Sequence, residues 1–342
     1  MTERLNDMKN LKKAAAALLA LIMLFGFSAC GGYSGEETTE ALTETATSYI
    51  RETKTKIAAL NGPVGFGLTK FSVDRAYNYE TAFYDTADEV IALIKNGQAD
   101  IATLPVDAAA KLYNETNGAV KILAVNSLGF FSVLEKGEKI KSIKDLKGKT
   151  VYVAYQGTAY ENIINCIFEQ NGIDPEKNID LQFKANNAEV AVLTDSGAAE
   201  ILILPEPYAS KVLSNNNEYR RALDINGEWN KISENKLVQS VVVARSEYID
   251  ANPDIVKEFI SYNKISVNYL NTNIYSAPVF LKEKGFCETA TLATLVIPAV
   301  NLAFISGEEM KPEINAVFDL FNQKNPELIG GKIPDEGIYY GA

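Results

Sequence analysis

Two stretches one hundred positions apart follow a single plan. Asp100-Ile101-Ala102-Thr103-Leu104-Pro105-Val106-Asp107-Ala108-Ala109-Ala110-Lys111-Leu112 reads as an acid, a short apolar run, Leu-Pro and a helix. Glu200-Ile201-Leu202-Ile203-Leu204-Pro205-Glu206-Pro207-Tyr208-Ala209-Ser210-Lys211-Val212 repeats it without a gap. Upstream, Phe83 pairs with Phe183, Glu89 with Glu189, Val90 with Val190, Gly97 with Gly197 and Ala99 with Ala199. A buried strand that runs through Leu-Pro into a helix leaves the helix N-terminus at the carboxyl edge of a sheet. Proline suits that first turn because its missing N–H would go unused there. Open α/β sheets collect ligands at this edge. Two copies therefore predict two lobes whose edges face each other.

The rest of the chain fits that division. Lys56 to Leu60 is a strand that enters Asn61-Gly62-Pro63-Val64-Gly65-Phe66-Gly67, where glycine and proline dictate a tight loop with accessible N–H groups. Thr81 to Tyr84 is the next strand, and Asp85-Thr86 caps a helix that Asn96-Gly97 closes. Val120 to Asn126 and Phe130 to Glu135 read as two further strands of the first lobe. Lys136 to Lys149 reads as the first crossing between lobes. A second unit starts with the strand Thr150 to Ala154 and a glycine turn, Tyr155-Gln156-Gly157-Thr158. Strand 179–183, helix 187–195, strand 199–204, helix 205–214 and strand 219–224 follow. Gln239 to Ala244 returns as a β-branched strand to the first lobe. Asn252-Pro253 then opens a long helix, and the chain stays helical to about Phe321. The expected division is 54–138 plus 239–342 for lobe 1 and 139–238 for lobe 2, with hinges near Gly137 and Leu237 to Gln239. Cys166 and Cys287 then fall in different lobes, as free thiols.

Composition excludes several functions. The chain has 342 residues, of which 47% are hydrophobic, enough for a large core in two domains. A net charge of −11 leaves no basic stripe for phosphates, so nucleic acid is not an expected partner. There is no histidine, which removes Ser-His-Asp and Cys-His mechanisms and the commonest metal ligand.

The N-terminus carries an address. Arg4, Lys9, Lys12 and Lys13 precede an apolar run from Ala14 to Phe27, too short to span a bilayer comfortably. Phe27-Ser28-Ala29-Cys30 follows and resembles a bacterial lipobox, with Phe27 where leucine is usual. That resemblance implies a lipoprotein signal peptide over 1–29, lipid attachment at Cys30, and an extracytoplasmic protein anchored to the outer face of the cytoplasmic membrane. Residues 30–53, rich in Thr, Glu and Ser, read as a disordered tether.

Taken together, these features resemble the substrate-binding lipoproteins of ABC importers, in the group that binds nitrate, sulfonates, taurine and thiamine pyrimidine precursors. The residues that carry the resemblance are Leu60-Asn61-Gly62-Pro63, Asp100 to Pro105, Lys121 to Gly129, Leu146-Lys147-Gly148-Lys149-Thr150, Glu169-Gln170-Asn171-Gly172 and Asn325 to Tyr340. The resemblance covers roughly 54 to 342. It implies a two-lobed α/β type II periplasmic-binding-protein fold with two chain crossovers and a ligand cleft between lobes. It also implies capture of a small organic molecule, delivery to ABC permease subunits, no cofactor, no metal and a monomeric receptor without enzymatic activity. A sensory receptor of the same fold is the alternative. Pyrimidine synthases and menaquinone-pathway enzymes share the fold, but the synthases use histidines that this chain lacks.

Contacts are expected from loops facing the gap. Candidates are Asn61, Gly62, Pro63, Val64 and Gly65; Leu104 and Pro105; Asn126 at a strand end; Gln156, Gly157 and Thr158; and Pro205 with Glu206. Glu206 has two readings, as a ligand contact or as a carboxylate offsetting a helix dipole. Tyr155, Tyr160, Tyr208 and Trp229 could stack a flat ring or pack in the core. The candidates lack Arg and Lys, which suits a neutral or weakly basic heterocycle donating N–H to Glu206. Helix N-termini alone can hold an anion, so a sulfonate-like compound remains open.

Overall fold

A computed structural model describes residues 50–154 and 156–341. The stretch expected to be a signal peptide, Cys30, nearly all of the expected tether and Tyr155 lie outside the described residues. The first lobe opens with β1 (Thr55–Leu60), α1 (Thr69–Asp74), β2 (Tyr79–Tyr84), α2 (Ala87–Lys95), β3 (Ile101–Pro105), α3 (Val106–Glu115) and β4 (Val120–Leu128). The second contains β5 (Phe131–Lys136), β6 (Thr150–Ala154), α4 (Ala159–Gln170), β7 (Asp180–Lys184), α5 (Asn187–Val192), β8 (Ile201–Pro205), α6 (Tyr208–Asn215), β9 (Tyr219–Asp224) and α7 (Ile225–Trp229). The chain then returns through β10 (Val238–Arg245), α8 (Ser246–Ala251), α9 (Pro253–Thr272), α10 (Pro278–Glu283), α11 (Ala290–Ala299), β11 (Leu302–Ile305) and α12 (Met310–Lys324).

Each lobe is built on one sheet, ordered β11-β4-β10-β3-β1-β2 and β7-β6-β8-β5-β9. Within them β1 runs parallel to β2 and β3, and β6 runs parallel to β7 and β8. In each sheet the strand that enters from the other lobe is antiparallel to its neighbours: β10 between β3 and β4, β5 between β8 and β9. The sequence repeat is thus a repeat of topology. It reaches the helix caps, where Thr86 accepts from the N–H of Glu89 and Asn186 from that of Glu189. It also reaches the helix stops, where Gly97 and Gly197 sit at φ +67° and +65°, a region that L side chains rarely adopt.

Two expectations are corrected. Phe130 to Glu135 does not belong to the first lobe: β5 pairs with β8 and β9 in the second sheet. The first crossing is therefore the two-residue step Gly129-Phe130, and Gly137 lies beyond β5, away from any crossing. Two apolar strands a couple of residues apart read as a hairpin, and only the pairing partners show that they separate. The second crossing runs from Trp229 to Val238, so Leu237 to Gln239 do lie at its end. The C-terminal part is not wholly helical either: β11 pairs with β4 as an edge strand.

Both faces of each sheet are buried. Ile57, Leu123, Val242 and Phe259 pack on one face of the first sheet, and Leu134, Leu202, Val212 and Tyr219 on one face of the second. The remaining faces share a core with α12, through Phe318 and Phe321. No helix of the described residues is long and apolar enough to cross a membrane. Cys166 and Cys287 are free, one in each lobe.

Candidate functional site

A cleft of about 820 Å³ opens between the lobes at the carboxyl ends of β1, β3, β6 and β8. The first lobe lines it with Asn61 to Val64, Pro105 and Asp107, and the second with Thr158, Tyr160, Pro205 and Glu206. Eight of the expected contact residues thus converge: Asn61, Gly62, Pro63, Val64, Pro105, Thr158, Pro205 and Glu206.

The others are placed elsewhere, for reasons visible in the backbone. A Cβ on Gly65 would fall 2.1 Å from the carbonyl oxygen of Leu60, so glycine there lets the loop fold back on its own strand. Leu104 is fully buried. Asn126 is buried behind the loop, where its side-chain amide donates to the carbonyl of Val64 at 2.5 Å. It therefore holds the Gly62 turn from below. Gly157 sits at φ +79° and donates its N–H to Glu161, which closes the turn into α4. Gln156 lines a separate acidic hollow on the second lobe, with Glu161, Asn165 and Asp174. Trp229 is buried away from the cleft, its indole N–H donating to the carbonyl of Asn235.

Glu206 forms part of the cleft wall, yet its side chain is 0% exposed and already partnered. Arg221, on β9, reaches it at 2.7 Å, and the backbone N–H of Ser210 in α6 donates to it at 3.3 Å. Burial raises its pKa while Arg221 and Ser210 oppose the rise. This is the helix-dipole role, reinforced by an ion pair.

The acid of the lining that has no hydrogen bond to another side chain among the described residues is Asp107, in the first turn of α3. Among the described residues no ion pair forms with it. Desolvation in the cleft pushes its pKa up to about 6, against the pull of the N–H groups of Asp107 and Ala108 and the charge of Lys111. Sequence reasoning singled out Glu206 and passed over Asp107, the acid one residue beyond its counterpart in the first copy. The signal was present in the repeat, since Asp107 aligns with Pro207.

Gln239 ties both crossings to the second lobe. Its side-chain oxygen accepts from the N–H of Phe130 at 3.0 Å, and its amide donates to the Tyr160 hydroxyl at 2.9 Å. Phe130, Phe131, Tyr208, Phe286 and Phe321 complete an aromatic wall, with Tyr160 packed against the ring of Phe131. Phe286 and Phe321 come from the C-terminal helical part, where no spacing marks them as cleft residues. Asp85, which accepts from Asn61 at 2.5 Å, and Lys284 complete the charged groups of the lining.

This geometry defines a class: two α/β lobes joined by paired crossovers, with one cleft between the carboxyl edges of their sheets, as in the periplasmic binding proteins. The chain belongs to the NMT1/THI5 like family, whose model matches residues 81–273. Among solved structures it is similar to an ABC transporter protein from Parabacteroides distasonis, at 21% identity and a TM-score of 0.72 over 84% of this chain and 99% of that one. It is also similar to the periplasmic aliphatic sulphonate binding protein of Escherichia coli, at 15% identity and a TM-score of 0.66 over 83% and 96%. A ligand binding component of an ABC-type import system from Staphylococcus aureus aligns at 13% identity and a TM-score of 0.62, over 85% and 100%. At these identities the likeness is one of fold. No curated protein matches the sequence.

Proposed function

We propose that this protein is an extracytoplasmic solute receptor, anchored by lipid at Cys30, that captures a small organic molecule between its lobes and delivers it to an ABC permease. The observation that carries the reading is the inter-lobe cleft of about 820 Å³, walled by the two copies of one strand–Leu-Pro–helix unit. A volume of that size suits a small ligand. The lobes are joined by two short crossings, so closure over a ligand is a rotation about Gly129-Phe130 and the 230–237 segment. The absence of histidine leaves the cleft without the usual general base, which favours binding over catalysis. The aromatic wall favours a flat ring, as a heterocycle would present. Native mass spectrometry of freshly purified protein tests this directly. A co-purified small molecule is expected, released on denaturation, together with compaction in solution scattering when it is added back. A protein that carries no ligand and shows no compaction with any candidate solute would defeat the reading.

A further inference from the structure

We propose that the cleft selects a small organic cation, a planar nitrogen base in its protonated form, by pairing it with the Asp107 carboxylate. The proposal rests on the receptor reading and adds the charge class of the ligand.

The sheet edges of this fold aim helix N-termini at the cleft region, and such termini attract anions. Here the chain supplies its own carboxylates to them. Asp88 and Glu89 lie in the first turn of α2, Asp107 in that of α3, Glu161 in that of α4 and Glu189 in that of α5. Glu206 serves α6 through the N–H of Ser210. Of these carboxylates Asp107 and Glu206 belong to the cleft lining, so an anion approaching the α3 or α6 terminus would find a carboxylate already there.

The lining charges lean the same way. Three acids face the cleft, Asp85, Asp107 and Glu206, against one cation, Lys284. Glu206 is neutralised by Arg221, whereas Asp85 accepts from Asn61 and keeps its charge but is exposed, where solvent and salt screen it. Lys284 places its ammonium over the ring of Phe83, 5.6 Å from the centroid. Lys111, one turn along α3 from Asp107, is engaged with Glu115 at 3.9 Å. Tyr160 and Tyr208 are the remaining titratable groups of the lining. Asp107 is thus the charge left for a ligand, beside an aromatic wall whose ring faces also attract cations. Desolvation has already raised its pKa to about 6, a penalty that a bound cation would reverse.

Three probes of one shape test the idea on the full-length chain by titration calorimetry near neutral pH: benzamidine, a cation; benzamide, neutral; and benzoate, an anion. Benzamidine is expected to bind at least about tenfold tighter than benzamide, and benzoate not at all. Asp107→Asn, which keeps the side-chain shape, is expected to erase the benzamidine advantage and leave benzamide unchanged. Benzamidine stays charged in acid, so its affinity for the native protein should fall about tenfold one unit below the Asp107 pKa, and stay flat in the variant. Benzoate or benzamide binding as tightly as benzamidine, an unchanged Asp107→Asn protein, or no benzamidine binding at millimolar concentration overturns the proposal. The receptor reading survives the first two results if Ala87→Trp, which adds a bulky ring to the cleft lining, abolishes binding of whichever probe binds. It falls with the proposal if that binding ignores Ala87→Trp.

Discussion

Asp107 and Glu206 are two carboxylates at equivalent sheet edges, held in different ways. Glu206 is enclosed with Arg221, so removing its charge strands a guanidinium. Breaking a buried pair costs on the order of 3 kcal/mol. Glu206→Gln should therefore lower the unfolding free energy from urea denaturation by that much while benzamidine affinity stays within about twofold; a large affinity loss at unchanged stability would instead place the carboxylate on the ligand. Asp107 behaves oppositely. Its folded pKa of about 6 lies above the unfolded carboxylate value, so the folded state binds the extra proton between about pH 4 and 6. Stability of the ligand-free protein then falls as pH rises through that window, and the penalty is full above it. Asp107→Asn should be the more stable protein at pH 7, with the difference vanishing below about pH 4 in paired denaturation curves. An equal difference at both pH values would show that the carboxyl is not desolvated. The alignment that opened the sequence made an acid at this edge legible, but only packing showed which acid was already partnered.

At the level of elements, the local code was sufficient where a strand or helix announces itself. Thr86 and Asn186 cap, Gly97 and Gly197 stop, and β3 and β8 fall where the Leu-Pro runs placed them. It was insufficient where two elements compete for one stretch. β4 and β5 are both apolar, and nothing local records that Phe131 to Glu135 pairs with Pro205 to Ile201 in the other lobe. Asn126 shows the same limit, since a polar residue at a strand end reads equally well as a ligand contact or as a prop for a neighbouring carbonyl. The crossing itself can be tested at Gly129. A Cβ there would lie 2.8 Å from Leu237 Cδ2 and 3.0 Å from Asn226 Cβ, on either side of the second crossing. Gly129→Ala should destabilise the protein by about 1–3 kcal/mol, the usual range for overpacking, and Leu237→Val in the same chain should recover part of it. Gly137→Ala, beyond β5, should leave the open–closed balance read by scattering unmoved; a larger effect there than at Gly129 would return the hinge to its expected place.

Across the whole molecule, the repeat makes two lobes legible but hides what sits between them. α12 shares a core with both sheets, and α11 lies against α6, because the C-terminal helices cover surfaces that exist only once the lobes are assembled. Two ion pairs also bridge the lobes at the surface: Lys324 with Glu169 at 2.6 Å and Lys211 with Glu288 at 2.5 Å. Their side chains are between 30% and 72% exposed, so solvent and salt screen both pairs. Each is then worth less than about 1 kcal/mol, equivalent to less than about fivefold in any affinity coupled to closure. The apolar contacts of Phe321 and Phe131 and the Gln239–Tyr160 hydrogen bond must dominate how the lobes meet. Glu169→Lys puts two cations together and should weaken benzamidine binding by less than about fivefold at low salt, with no effect in high salt; Lys324→Glu in the same chain should restore it. A loss of more than about tenfold that persists in salt would make this pair a latch and would shift the control of closure from the cleft to the molecular surface.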